Sequence, residues 1–164
     1  MTQKMLMFYV PDDKELLAAL GEVTLRHEHL SHILKMTIKS IADLSVAEAL
    51  DATQYEGARQ LREYIRKLAR KKLGASGACL KLSALLTRAE RLTNQRNRLT
   101  HGIWAKELDG DPGLMGAPGE LETLPSVDQL KALASDLVVL TQEINAARLE
   151  GFLKEALEQS GMVK

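Results

Sequence analysis

A single cysteine, Cys79, is present in the 164-residue chain, so neither an intrachain disulfide nor a thiolate zinc cluster can be built from it. Such sparing use of cysteine suits a reducing compartment, and a cytoplasmic protein is expected. Aromatic residues make up only 4% of the sequence, while apolar residues reach 45%. Few aromatics disfavour an all-β sandwich or barrel, and abundant Leu and Ala favour packed helices. Long apolar runs are also missing. The run from Met5 to Val10 is six residues closed by Pro11. That is too short for a signal-peptide core or a bilayer span, so no membrane partner is expected. No glycine-rich phosphate loop and no serine-nucleophile motif is present.

Net charge is absent too, with 22 Lys+Arg against 22 Asp+Glu. The zero conceals an asymmetry. Residues 1–53 carry 5 basic and 8 acidic side chains, residues 54–106 carry 13 and 3, and residues 107–160 carry 3 and 11. The middle segment is therefore +10 between flanks of −3 and −8. Such a segment suits an anionic partner, or else folds against its own flanks so that the charges satisfy one another.

What the sequence does have is helical periodicity. Pro11-Asp12-Asp13 reads as a helix start, followed by Leu16, Leu20, Val23, His27, Leu30, Leu34, Ile38 and Ile41 at steps of three and four. Ser45-Val46-Ala47-Glu48 has the form of a capping box before a short helix or turn. A basic helix from Tyr55 to Leu73 carries Leu61, Ile65 and Leu68 on a narrow apolar stripe. Leu82, Leu85, Ala89, Leu92, Leu99 and Ile103 mark the buried face of the next. Ser126 caps a last long helix with Leu130, Leu133, Leu137, Leu140, Ile144 and Ala147 on its stripe. The expectation is an all-α protein: an antiparallel four-helix bundle forming one domain, with main helices over residues 12–41, 55–73, 78–102 and 126–159. No segment has a convincing strand period. Residues 107–125 hold Pro112, Pro118 and Pro125, three of the four prolines, and read as a Gly/Pro-rich loop with room for a short hairpin. The loop begins six residues after His101 and is expected to lie near it.

The chemistry concentrates in Glu90 to Trp104. Arg96 stands four residues after Leu92 and three before Leu99, on the apolar stripe itself. A guanidinium so placed needs an internal carboxylate or a polar cleft. Glu28 is the expected partner. Asn97 and His101 are four apart and share a face, whereas Arg96 and His101 are about 140° apart in projection, within reach of a long arginine. Gly102 marks the expected helix end. An arginine, an amide and a histidine within six residues suit phosphodiester chemistry. Histidine can move the proton of a ribose 2′-hydroxyl or of a leaving 5′-oxygen, and arginine can stabilise charge on phosphoryl oxygens. No metal is needed when the 2′-hydroxyl is the nucleophile.

The string Arg96-Asn97-Arg98-Leu99-Thr100-His101 resembles the R-x-x-x-x-H signature of the HEPN superfamily, in which an arginine, a following polar residue and a histidine lie late in a helix of a four-helix bundle. The longer string through Gly102-Ile103-Trp104 is similar to a form found in small bacterial HEPN-like proteins. The resemblance implies a homodimer whose two motifs face each other across a cleft. It also implies metal-independent RNA cleavage leaving a 2′,3′-cyclic phosphate, in a toxin–antitoxin or phage-defence setting with an antitoxin protein as partner. By that resemblance Arg96 and His101 are catalytic and Asn97 supports them. HEPN toxins neutralised by nucleotide transfer carry a tyrosine two residues after the histidine; Ile103 stands there, which puts that regulation in doubt.

Around this motif, Arg62, Arg66, Arg70 and Arg98 are candidates for an RNA backbone, the alternative for the basic helix being a solvated face. Tyr55, Tyr64 and Trp104 are the aromatics that could stack on bases, although Trp104 also reads as core or dimer interface. His27 falls on an apolar stripe and reads as a hydrogen-bonded core histidine supporting the site. His29 and His32 are three apart, but without further ligands nearby no metal site and no cofactor is expected. Two other functions stand beside the ribonuclease: a non-catalytic HEPN-like dimerisation or interaction module, and an RNA- or nucleotide-binding protein without turnover.

Overall fold

The computed structural model describes residues 5–116 and 119–162. Chain order is β1 (Leu6–Phe8), α1 (Lys14–Ala42), α2 (Val46–Thr53), α3 (Ala58–Leu73), α4 (Gly77–His101), β2 (Ile103–Glu107), β3 (Pro112–Met115), β4 (Leu121–Thr123), α5 (Val127–Leu149) and α6 (Phe152–Met162).

Each long helix starts where its sequence provides a cap. The Asp13 carboxylate accepts from the backbone N–H of Glu15 and Leu16 at 3.0 and 3.1 Å, which opens α1. Ser45 and Glu48 close a reciprocal capping box on α2, and Ser126 with Gln129 does the same on α5. Ser76 caps α4 through the Cys79 N–H. Gly74, at φ 59°, ends α3 in a conformation that side chains resist.

The helices bury one continuous core. α1 runs along α5 and is flanked by α3 and α4. Val23, Leu30, Leu34, Ile38 and Ile41 of α1 are fully buried, as are Leu137, Leu140 and Ile144 of α5. The stripes expected for these two helices are the stripes that pack.

The fold is not the all-α four-helix bundle expected from the pattern. Beside the helices lies a four-stranded antiparallel sheet in the order β1-β2-β3-β4. Phe8, Ala105, Gly113 and Thr123 align across it, one from each strand. Its elements hide from periodicity because β1 and β4 have three residues each, and β3 opens on a proline followed by glycine. A proline at the first strand position gives up no essential ladder bond. A side chain at Gly113 would collide with Leu121 and the Glu122 carbonyl. So the stretch 107–125 supplies two strands of a meander. Pro118 lies outside the described residues.

Three helix boundaries also move. The basic helix expected from Tyr55 begins at Ala58, which leaves Tyr55 in the turn before it. The helix expected over 126–159 is two helices, α5 and α6, with a break at Glu150-Gly151. The chain turns so tightly there that a side chain on Gly151 would stand 3.1 Å from the Ala147 Cα. Ile103, expected on the buried face of α4, lies in β2 and is 45% exposed. Gly102 does end α4, in extended backbone rather than a left-handed turn. A Cβ there would fall 2.7 Å from the Leu114 side chain, so glycine is required by the close approach of β3. Trp104 and Leu114 oppose each other on the sheet face that joins the core, and the indole N–H donates to the Leu99 carbonyl at 2.8 Å.

Candidate active site

α1, the start of α3 with the turn before it, and the stretch of α4 from Glu90 to His101 surround an open cleft of about 800 Å³. Arg96, Asn97 and His101 all line it, together with His27 and Glu28 from α1 and Arg62 from α3. Six of the residues singled out from sequence therefore share one concavity.

The floor of the cleft is a chain of hydrogen bonds. Arg96 Nη2 lies 2.8 Å from His27 Nδ1 and 3.1 Å from Glu28 Oε1, and Arg96 Nη1 donates to Asn97 Oδ1 at 2.9 Å. His27 Nε2 lies 3.0 Å from Thr93 Oγ1, which also receives Arg62 Nη1 at 3.4 Å. Arginine only donates, so His27 Nδ1 must accept and the ring proton must sit on Nε2, pointing at Thr93. Burial, reinforced by the neighbouring Arg96 charge, lowers the His27 pKa from 6.5 to about 4 against the opposing pull of Glu28. His27 is thus a neutral fixture that orients Arg96.

Donor arithmetic shows what remains for a ligand. Both Nη2 protons and one Nη1 proton of Arg96 are engaged, which leaves one Nη1 proton; the buried Nε has no partner. Asn97 spends its carbonyl on Arg96 and keeps both amide protons. His101 ends α4, is exposed, and has no hydrogen-bond or ionic partner among the described residues. Lys35 is likewise unpaired there. The lining thus offers a free imidazole, a free ammonium, an amide and an oriented guanidinium.

Arg62 differs from the surface cation expected from sequence. Its residue is 3% exposed, it stands 4.0 Å from the Glu90 carboxylate, and its Nε has no partner. Burial lowers its pKa, and Glu90 pulls the other way. Arg66 reaches the far Glu90 oxygen at 3.8 Å, and with Arg70 and Cys79 it lines a separate small cavity. Arg98 pairs with Glu122 of β4 and lines a different depression with Leu114 and Gln129. Trp104 packs on the core and is not part of the cleft lining. No described residue between 107 and 125 lines the cleft; the acidic residues at its wall are Glu28, Glu56, Glu63 and Glu90. His29 and His32 are both exposed, and among the described residues no group of three His, Cys, Asp or Glu is placed to hold a metal. No helix among them is long and apolar enough to cross a membrane.

Thr93 and Lys35 belong to the site although the motif does not include them. Both left a signal. Thr93 is a polar residue beside Leu92 on a buried stripe, and Glu28, Ser31 and Lys35 recur at steps of three and four on one face of α1. Compared with family models, with curated proteins and with solved structures, the chain matches none.

Proposed function

We propose that the protein is a metal-independent endoribonuclease of HEPN type, acting in the cytoplasm as a homodimer, with an antitoxin protein as its regulatory partner in a toxin or phage-defence setting. The observation that carries this reading is the convergence of Arg96, Asn97 and an unpartnered His101 on one open cleft. In the proposed reaction the ribose 2′-oxygen attacks the adjacent phosphorus and its proton passes to an imidazole. The bond from phosphorus to the 5′-oxygen breaks, and that oxygen takes up a proton. The products are a 2′,3′-cyclic phosphate and a 5′-hydroxyl end. His101 moves the protons. Arg96 and the Asn97 amide meet the phosphoryl oxygens, and Lys35 supplies further positive charge. A dimer brings a second His101, so that one imidazole serves as base while the other serves as acid.

The test is incubation of the pure protein with total RNA in EDTA. Cyclic-phosphate ends are expected from wild type and neither from Arg96→Ala nor from His101→Ala. Cleavage that persists in both variants refutes the assignment. A second reading, a non-catalytic interaction module, is favoured by a different observation: Arg96 is already tied to Glu28, His27 and Asn97 as a structural brace. It predicts no RNA cleavage or binding, and loss of stability or dimerisation in Arg96→Ala.

A further inference from the structure

The main cleft does not end at α3. A second concavity of about 330 Å³ adjoins it, lined by Ala52, Glu56, Gln60, Leu61 and Tyr64. Glu56 and Gln60 line both, so the two concavities are neighbours that share a wall. The second concavity's one aromatic lining residue is Tyr64, 40% exposed; Tyr55, 90% exposed, stands in the α2–α3 turn between Gln54 and Glu56 and is not part of the lining. An exposed tyrosine lining a concavity stands out in a chain with six aromatic residues.

The polar groups there are uncommitted. The side chains of Glu56, Tyr55 and Tyr64 have no hydrogen-bond or ionic partner among the described residues. The Gln60 carbonyl lies over Gly57, where a Cβ would approach it to 3.0 Å, so glycine leaves the amide its place at the junction.

We propose that this second concavity is a nucleobase subsite that prefers guanine, in which an unpaired base stacks on Tyr64 and presents its Watson–Crick edge to Glu56. The stacking half follows from an exposed tyrosine beside a groove, since every base offers a π-face. The guanine half follows from the carboxylate. Glu56 only accepts, and it binds best where two adjacent donors point the same way. Guanine presents N1–H and N2–H side by side on that edge. Uracil presents one imino proton there, and adenine and cytosine set a ring acceptor beside their amino group. A strand that crosses the shared wall at Glu56 and Gln60 then carries its neighbouring phosphodiester into the cleft lined by Lys35, Asn97 and His101. The subsite rests on the ribonuclease reading for the identity of the strand, but its occupation requires no cleavage.

The experiment separates the two. Single-stranded 2′-O-methyl RNA hexamers lack the nucleophile, so they report binding alone. Fluorescence anisotropy would compare an all-uridine hexamer with one carrying a single guanosine, on the full-length protein. Wild type is expected to favour the guanosine strand about tenfold. Tyr64→Leu should weaken both strands about tenfold, and Tyr64→Phe should restore them. Glu56→Gln should erase the guanosine preference while keeping binding to the uridine strand. Equal binding of both strands by wild type, an unaltered Tyr64→Leu variant, or no binding to either strand overturns the subsite. Guanosine-selective binding by a protein that cleaves no RNA keeps the subsite and overturns the ribonuclease reading.

Discussion

Replacing His27 by glutamine removes the one titratable group at the centre of the floor network, and the structure fixes what that does to acid stability. Folded His27 has a pKa of about 4, depressed by burial and by Arg96, against 6.5 for the free side chain. Between these values the unfolded chain binds a proton that the folded chain refuses. Stability therefore falls as pH drops below 6.5 and stops falling, for this group, near pH 4. The difference corresponds to about 3 kcal/mol at full effect. For a domain of this size that amounts to roughly 6–12 °C in Tm. A glutamine at position 27 is uncharged throughout, so its variant lacks this dependence even if it starts from a lower stability at pH 7. Carboxylates also titrate toward pH 4, but they do so in both proteins. Urea denaturation of wild type and His27→Gln at half-unit steps from pH 7 to 4 isolates the difference. Wild type should lose about 3 kcal/mol more than the variant. Parallel curves would refute the placement of a neutral, buried histidine under Arg96.

Three further substitutions probe the same architecture. Thr93→Val keeps the shape but strands the His27 N–H and one Arg62 N–H in the interior, and it should cost about 1–3 kcal/mol by chemical denaturation. Glu28→Gln breaks a pair whose carboxylate is 63% exposed, so stability should change by less than about 1 kcal/mol. Losing the negative charge beside Arg96 should then tighten inorganic phosphate binding, readable as larger shifts of the His101 NMR signals on phosphate titration. Gly102→Ala forces a Cβ into Leu114 at the α4–β2 junction and should cost about 1–3 kcal/mol; a neutral result would mean that the sheet approaches α4 less closely.

The helices were readable because burial imposes a period on them. Val23, Leu30, Leu34 and Ile38 recur along α1 since that face packs against α5, α3 and α4. Arg96 was readable for the converse reason: a cation on an apolar stripe demands a carboxylate, and Glu28 lies 3.1 Å away. The sheet was not readable. β1 and β4 are too short to alternate, and the two strands at its centre contain Pro112, Gly113 and Ala105, whose small or rigid side chains carry no pattern. Nor does sequence disclose that Arg62 is buried while Arg66 and Arg70, on the same basic helix, turn to another cavity. That distinction arises only when α4 brings Thr93 and Glu90 against α3. The role of Gly102 was half legible, as a helix end but not as the contact point of a strand ten residues further on.

The central claim is that His101 and Arg96 act on an RNA phosphodiester, and its most direct test is the cleavage rate of a short defined RNA in EDTA by wild type, His101→Ala and Arg96→Ala. Cleavage by wild type, a fall of at least about 100-fold in each variant, and complete resistance of the same strand when every ribose is 2′-O-methylated are the predicted results. Equal rates in wild type and variants, or cutting of the methylated strand, would contradict the claim.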